Sequence, residues 1–107
     1  MKCITVFYPS KDNEAFDHEF YRQRHAPLIE NILGKSLHKL EVRKGTPAPD
    51  GTPPLYTAVI SIWIADWEAY EKAMAVRAKE LIDEVPLFTK VMPTFQTDEV
   101  YYSSSGD

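Results

Sequence analysis

The sequence predicts an α+β fold in which four strands and two helices follow one another as βαββαβ. Short runs rich in β-branched and aromatic residues recur at 3–8, 37–44, 55–64 and after Phe88, the composition of strands on a half-buried surface. Between them lie two charged stretches whose apolar residues return every three or four positions, the period of a helix with one face on a core. At 107 residues the chain has the length of one domain, not two. Residues 1–102 are expected to form it, and 103–107 (SSSGD), with nothing to bury, a disordered tail.

Each element can be justified in order. Residues 3–8 (CITVFY) form a short buried strand that stops at Pro9-Ser10. In the first helix the apolar positions are Phe16, Phe20, Tyr21, Leu28, Ile29 and Ile32. Ser10 or Asp12 would cap its start and Gly34 would end it. Pro27 has no amide hydrogen and its ring crowds the carbonyl of Gln23, so a kink or a fresh helical start is expected near His25-Ala26-Pro27. Residues 37–44 (LHKLEVRK) alternate, with His38, Leu40 and Val42 on one face and Lys39, Glu41 and Arg43 on the other. The Pro- and Gly-rich stretch 45–54 cannot supply a regular ladder and predicts an exposed, mobile hairpin loop. Residues 55–64 (LYTAVISIWI) are almost continuously apolar, so both faces of the third strand need cover. Asp66 caps a second helix carrying Trp67, Tyr70, Met74 and Leu81, which Pro86 should end. The last strand lies within 88–102 and includes Val91, Phe95, Val100, Tyr101 and Tyr102, bent or at an edge where Pro93 withholds a donor.

This order fits the ferredoxin-like arrangement, a four-stranded antiparallel sheet with both helices on one face. Two helices protect one side only. A two-fold homodimer with sheet facing sheet would cover the other and enclose space between the copies. Sixteen acidic against twelve basic residues give a net charge of -4, the wrong sign for affinity built on phosphates, so neither nucleic acid nor a membrane surface is an expected partner. The single Cys3 cannot form an intramolecular disulfide, and the apolar run at the amino terminus is too short for a signal-peptide core. Both fit a reduced, cytoplasmic location.

The segment Phe16-Asp17-His18-Glu19-Phe20-Tyr21-Arg22-Gln23-Arg24-His25-Ala26-Pro27-Leu28 has the most chemical character. It resembles the Phe-x-x-x-Tyr-x-x-x-His-x-Pro-Leu signature of the dimeric α/β-barrel superfamily, and especially of the EthD family, named for ethyl tert-butyl ether degradation. Further features match that family's order over about residues 2–100: Tyr8-Pro9-Ser10 closing the first strand, Tyr56 in the third, and Asp83, Pro86, Phe88 and Thr89 before the last. The resemblance implies a homodimeric barrel, small hydrophobic or aromatic ligands in a cleft between sheet and helix, and no obligatory metal or flavin cofactor.

His25 is the candidate acid/base residue. On an ideal helix it shares a stripe with Tyr21, Leu28 and Ile32 at the border of the core. An imidazole titrating near pH 6.5 can both donate and accept, as enolisation, dehydration or ring closure of a small carbonyl or phenolic compound requires. The alternative is a structural histidine that bonds backbone freed by Pro27. Tyr8, Tyr21, Tyr56, Trp63 and Phe95 are candidates for binding an aromatic substrate, against the alternative of ordinary packing. Tyr56 and Trp63 have opposite parity and share a face only if a bulge intervenes. A metal site has little support, because His18 and His25 are separated by a rise of about 10 Å and His38 is on another element. Asp83 could pair with a cleft group, and Lys39 and Arg43 could attract an anion; a solvated or hydrogen-bonded surface position is the more common reading of all three. Cys3 reads as packing. Two functions follow. One is a cofactor-independent lyase, isomerase or oxygenase-type accessory in a catabolic or polyketide-type pathway, with His25 as acid/base. The other is a non-catalytic protein that binds or delivers a hydrophobic metabolite to a degradative oxidase.

Overall fold

A computed structural model describes residues 1–11 and 15–104 of the chain. The strands are β1 (Lys2–Pro9), β2 (Leu37–Lys44), β3 (Tyr56–Ile64) and β4 (Thr94–Glu99), all paired antiparallel in the order β2-β3-β1-β4. Between β1 and β2 runs a helical segment of three parts: α1 (His18–Phe20), a π-helical turn (Tyr21–His25) and α2 (Ala26–Leu33). A 3-10 turn (Gly34–Ser36) leads into β2, and α3 (Trp67–Phe88) joins β3 to β4. The expected ferredoxin-like α+β arrangement is what the chain adopts, with both helical segments on one face of the sheet.

Side-chain alternation explains the layering. Ile4, Val6 and Tyr8 of β1 and Ala58, Ile60, Ile62 and Ile64 of β3 point toward the helices and are buried, Ala58 and Ile60 completely. From the helical layer Tyr21, Ile29, Ile32, Leu33 and Phe88 close on them. The opposite face carries Cys3, Thr5, Phe7, Val59, Ser61 and Trp63. Among the described residues no helix lies over it, yet it is only partly apolar. The Thr5 hydroxyl donates to Asp98 Oδ2 at 2.6 Å and Arg43 Nη2 donates to Ser61 Oγ at 3.1 Å.

The structure corrects several expectations of detail. Asp17, not Ser10, caps the first helix: its Oδ1 accepts from the Phe20 N–H at 3.0 Å, while the Ser10 N–H bonds to the Leu55 carbonyl. Asp12 lies outside the described residues, as do 105–107 of the expected tail. Residues 101–104 follow β4 without regular structure. The discontinuity expected near Pro27 is the π turn, where the Ala26 N–H reaches back five residues to the Tyr21 carbonyl just before Pro27 opens α2. Gly34 ends α2 at φ +50°, a backbone region that disfavours side chains. In β2 the pairing slips between Leu37 and Lys39, so Leu37 rather than His38 joins Leu40 on the helix side.

Helix α3 does not stop at Pro86 but continues to Phe88. The missing amide falls in the last turn, and the Thr89 N–H restores the pattern by bonding the Val85 carbonyl at 3.0 Å. β4 is shorter than expected; it keeps Phe95 and leaves Val91, Val100, Tyr101 and Tyr102 outside. The hairpin loop is tied at its base by the Gly45 N–H to the Thr57 carbonyl at 2.9 Å. A Cβ at Gly45 would collide with the Tyr56 carbonyl, so only glycine fits there.

Candidate functional site

The helical layer does not fill all the space above the sheet. A cavity of about 230 Å³ lies between β1 and β3 below and α2 and α3 above. Its walls are mainly aliphatic, from Ile4, Val6, Ile29, Ile62, Met74 and Leu81. Tyr8, Tyr21, His25 and Tyr70 are the lining residues with polar groups. Ile82 and Phe95, 66% and 69% exposed, mark the mouth.

The local backbone explains how an imidazole reaches such a place. Tyr21 and His25 are the two ends of the π turn and both point inward, 2% and 4% exposed. The ring of His25 sits 4.9 Å from that of Tyr21 and 4.8 Å from that of Phe88. Phe88 is fixed from a distance: its carbonyl accepts the Asp17 N–H at 2.8 Å, and Thr89 Oγ1 donates to the Ala15 carbonyl at 3.1 Å. The start of the first helical segment and the end of α3 therefore clamp the aromatic wall together.

His25 Nδ1 lies 2.9 Å from Glu84 Oε1 of α3, a carboxylate 21% exposed. Burial pushes the imidazole below its ordinary value, and the hydrogen bond and charge of Glu84 oppose this without cancelling it. The ring is therefore neutral at pH 7 and can act as a base. Burial also pushes the Tyr8 phenol up to about 12 and the Tyr21 phenol further. Both remain O–H donors at any physiological pH.

Of the residues singled out in the sequence, the fold brings Tyr8, Tyr21, His25 and Phe95 to one cavity. Tyr56 and Trp63 lie elsewhere. Where β1 meets β3 the register shifts between Tyr8 and Pro9, and this irregularity lets Tyr56 pack on Phe7 of the open face, ring centres 5.2 Å apart. Trp63 is on that same open face, with Lys39 Nζ 5.1 Å from its ring, beside a broad solvent-open depression that also includes His38, Tyr101 and Tyr102. Asp83 points away from the cleft and pairs with Lys79 at 2.7 Å. Lys39 and Arg43 flank Glu41, which bonds Arg43 at 2.7 Å, so their charge is locally offset. Among the described residues no three His, Cys, Asp or Glu side chains gather as metal ligands would. Cys3 is buried on the open face, where burial raises its thiol and so disfavours the thiolate. The residue that sequence reasoning missed is Glu84; its signal was an acidic position three residues past Leu81 on the helix stripe, next to the Asp83 that drew attention instead.

Comparison with known proteins agrees with this arrangement. A model of the EthD domain matches residues 9–90, most of the chain. The chain belongs to the EthD family. Among solved structures, this EthD chain is similar over 99% of its length to an EthD-like protein from Ralstonia eutropha, with 27% identity, 96% of that chain covered and a TM-score of 0.90. An ethyl tert-butyl ether (EthD) family protein from Bacillus halodurans shares 19% identity over 94% of this chain and 99% of its own, at a TM-score of 0.59. HapK from Hahella chejuensis shares 16% over 97% and 96%, at 0.63, a likeness of fold alone. No curated protein matches the EthD chain. Among its described residues no helix is long and apolar enough to cross a membrane.

Proposed function

We propose that this EthD protein is a cofactor-independent enzyme that moves a proton on a small hydrophobic or aromatic molecule, with His25 as the acid/base residue. The observation that carries this reading is the placement of His25: a buried imidazole on the wall of an otherwise aliphatic cavity, with Nδ1 anchored and its neutral form favoured. Tyr8 and Tyr21 supply phenolic donors on the same wall and Phe95 an apolar edge at the mouth, the pattern of a small-ligand site with few orienting polar groups. Residues 1–102 act as one unit. Its uncovered sheet face, with Phe7, Tyr56, Val59 and Trp63, meets the same face of a second copy in a homodimer, and no nucleic acid or metal is required. This reading places the protein in the cytoplasm, in a catabolic or polyketide-type pathway.

The test is a panel of one-ring ketones and phenols incubated in heavy water with the wild type and with His25→Ala, deuterium uptake being followed by NMR. Wild type should exchange a proton of at least one compound, and the variant should do so at least about a hundredfold more slowly while keeping its dimer mass and melting temperature. Exchange that survives in the variant removes His25 from catalysis. Compounds that raise the melting temperature of both proteins without exchange in either would instead assign a binding or delivery role.

A further inference from the structure

We infer that Glu84 is a positioning residue that holds the ring proton of His25 on Nδ1, leaving Nε2 as a bare acceptor for the cavity, and that this pair restricts the site to uncharged one-ring compounds with an acidic C–H or O–H. The inference rests on the proposed acid/base role of His25 and adds how the ring is prepared and what it accepts.

Hydrogen-bond chemistry gives the first half. A carboxylate has only acceptors, so the 2.9 Å contact between Glu84 Oε1 and His25 Nδ1 requires the hydrogen to be on Nδ1. In a neutral ring the other nitrogen then carries a lone pair. Among the described residues no hydrogen bond engages Nε2, and the ring lines the cavity. The contact joins the π turn to α3, two elements packed side by side, so the ring is held from outside its own helix.

The second half follows from charge and size. The groups facing His25 are Tyr21 from its own turn, Tyr8 from β1, and Phe88 and Glu84 from α3. Glu84 is the charged member, and the cavity wall includes no lysine or arginine. A carboxylate or phosphate ligand would enter without a counter-ion and toward a like charge, at a cost that burial magnifies. An apolar cavity of about 150 Å³ accommodates benzene. The 230 Å³ here accommodates one ring with a short substituent.

The proton step balances without any further reactant. Nε2 takes the proton, the electron pair of the broken C–H or O–H bond stays on the substrate as enolate or phenolate, and the imidazolium formed lies between that anion and Glu84. The phenols of Tyr8 and Tyr21, held protonated by burial, are available to donate to the anion. Return of the proton to another atom of the substrate completes an isomerisation and restores the ring.

The tautomer can be read without substrate. Long-range 1H–15N NMR of the wild type, above the titration of His25, should show a protonated Nδ1 and a pyridine-like Nε2. Glu84→Gln should mix the tautomers and lower the titration midpoint of His25. A proton on Nε2 in the wild type, or a Gln variant with unchanged tautomer and midpoint, overturns the positioning role; should the variant not fold, the wild-type spectrum alone decides. Acetophenone and its near-isostere benzoate test the ligand class in the same spectra. Millimolar acetophenone should shift the Nε2 resonance and benzoate should not. A benzoate shift as large as that of acetophenone, or no shift with acetophenone, overturns the selection. These outcomes are separable from loss of the functional reading: an Nδ1-protonated, neutral-selective His25 whose alanine variant still exchanges deuterium refutes catalysis by His25 and leaves the role of Glu84 standing.

Discussion

Val59→Glu puts a charge at the centre of the uncovered sheet face and decides whether that face meets a second copy. Val59 is opposite Phe7 on β1 and Arg43 on β2, between the apolar side chains Phe7 and Trp63 and the Arg43–Ser61 hydrogen bond. In an isolated chain the new carboxylate is half in water with Arg43 across the strand, so the fold should change in stability by no more than about 0.5 kcal/mol. Against a second sheet it loses its water. Burying a charge against apolar surface costs several kcal/mol even after relaxation; about 3 kcal/mol per copy corresponds to roughly a hundredfold in affinity. A two-fold interface meets the substitution twice, which makes the loss about 10⁴-fold. Sedimentation velocity across a dilution series from tens of micromolar to nanomolar reads this directly, with Val76→Glu on the exposed side of α3 as the control. The wild type should sediment at twice the chain mass and the Val59 variant at the chain mass, with unchanged circular dichroism. A variant that associates like the wild type, or a wild type that is a single chain throughout, refutes the covered-face argument.

Other consequences of the structure are as direct. Ile60→Ala, at a position with no exposure between β1 and β2, should cost about 3 to 5 kcal/mol in urea denaturation, the upper part of the range for such truncations; a loss below about 1.5 kcal/mol would mean that the layer above is not tightly packed. Asp17→Ala should cost about 1 kcal/mol through loss of the bond to the Phe20 N–H, and Asp17→Asn should recover most of it. His18 and His25 both titrate below their ordinary value because burial disfavours the charged ring. Below about pH 6.5 the unfolded chain therefore binds protons that the folded one refuses, and stability should decline as pH falls from there toward the depressed folded values. His25→Phe should flatten that decline, and an unchanged slope would contradict it. At the alkaline end, Tyr8 is displaced from 10 to about 12. Stability should fall as pH rises above about 10, by up to about 3 kcal/mol from this group, and Tyr8→Phe should flatten that fall in denaturation measured across this range; an unchanged slope would contradict it.

Much of the fold was legible because the signals are local. The nearly continuous apolar run in 55–64 set the core strand, Asp66 marked the start of α3 by its side-chain acceptor, and the missing amide of Pro27 marked where the first helical segment must change register. Spacing put Tyr21 and His25 on one stripe at the border of the core, and the π turn then carries both inward. Details that depend on how two strands pair were not legible. The slips at Leu37/Lys39 and at Tyr8/Pro9 come from matching a twisted strand to its neighbour, and they moved His38 off the core side and Tyr56 onto Phe7.

The sequence by itself determined the element order and the need to cover both faces of β3, and it singled out His25 as a candidate, because each depends on the period or the backbone chemistry of neighbouring residues. Only the tertiary structure decided that Glu84 rather than Asp83 meets His25, and that a cavity remains beside the pair. Adjacent residues on a helix point about 100° apart, so which of the two carboxylates faces a ring 59 residues away depends on how α3 is rotated against the π turn. That rotation is set by the packing of the whole layer, and no stretch of the chain encodes it alone.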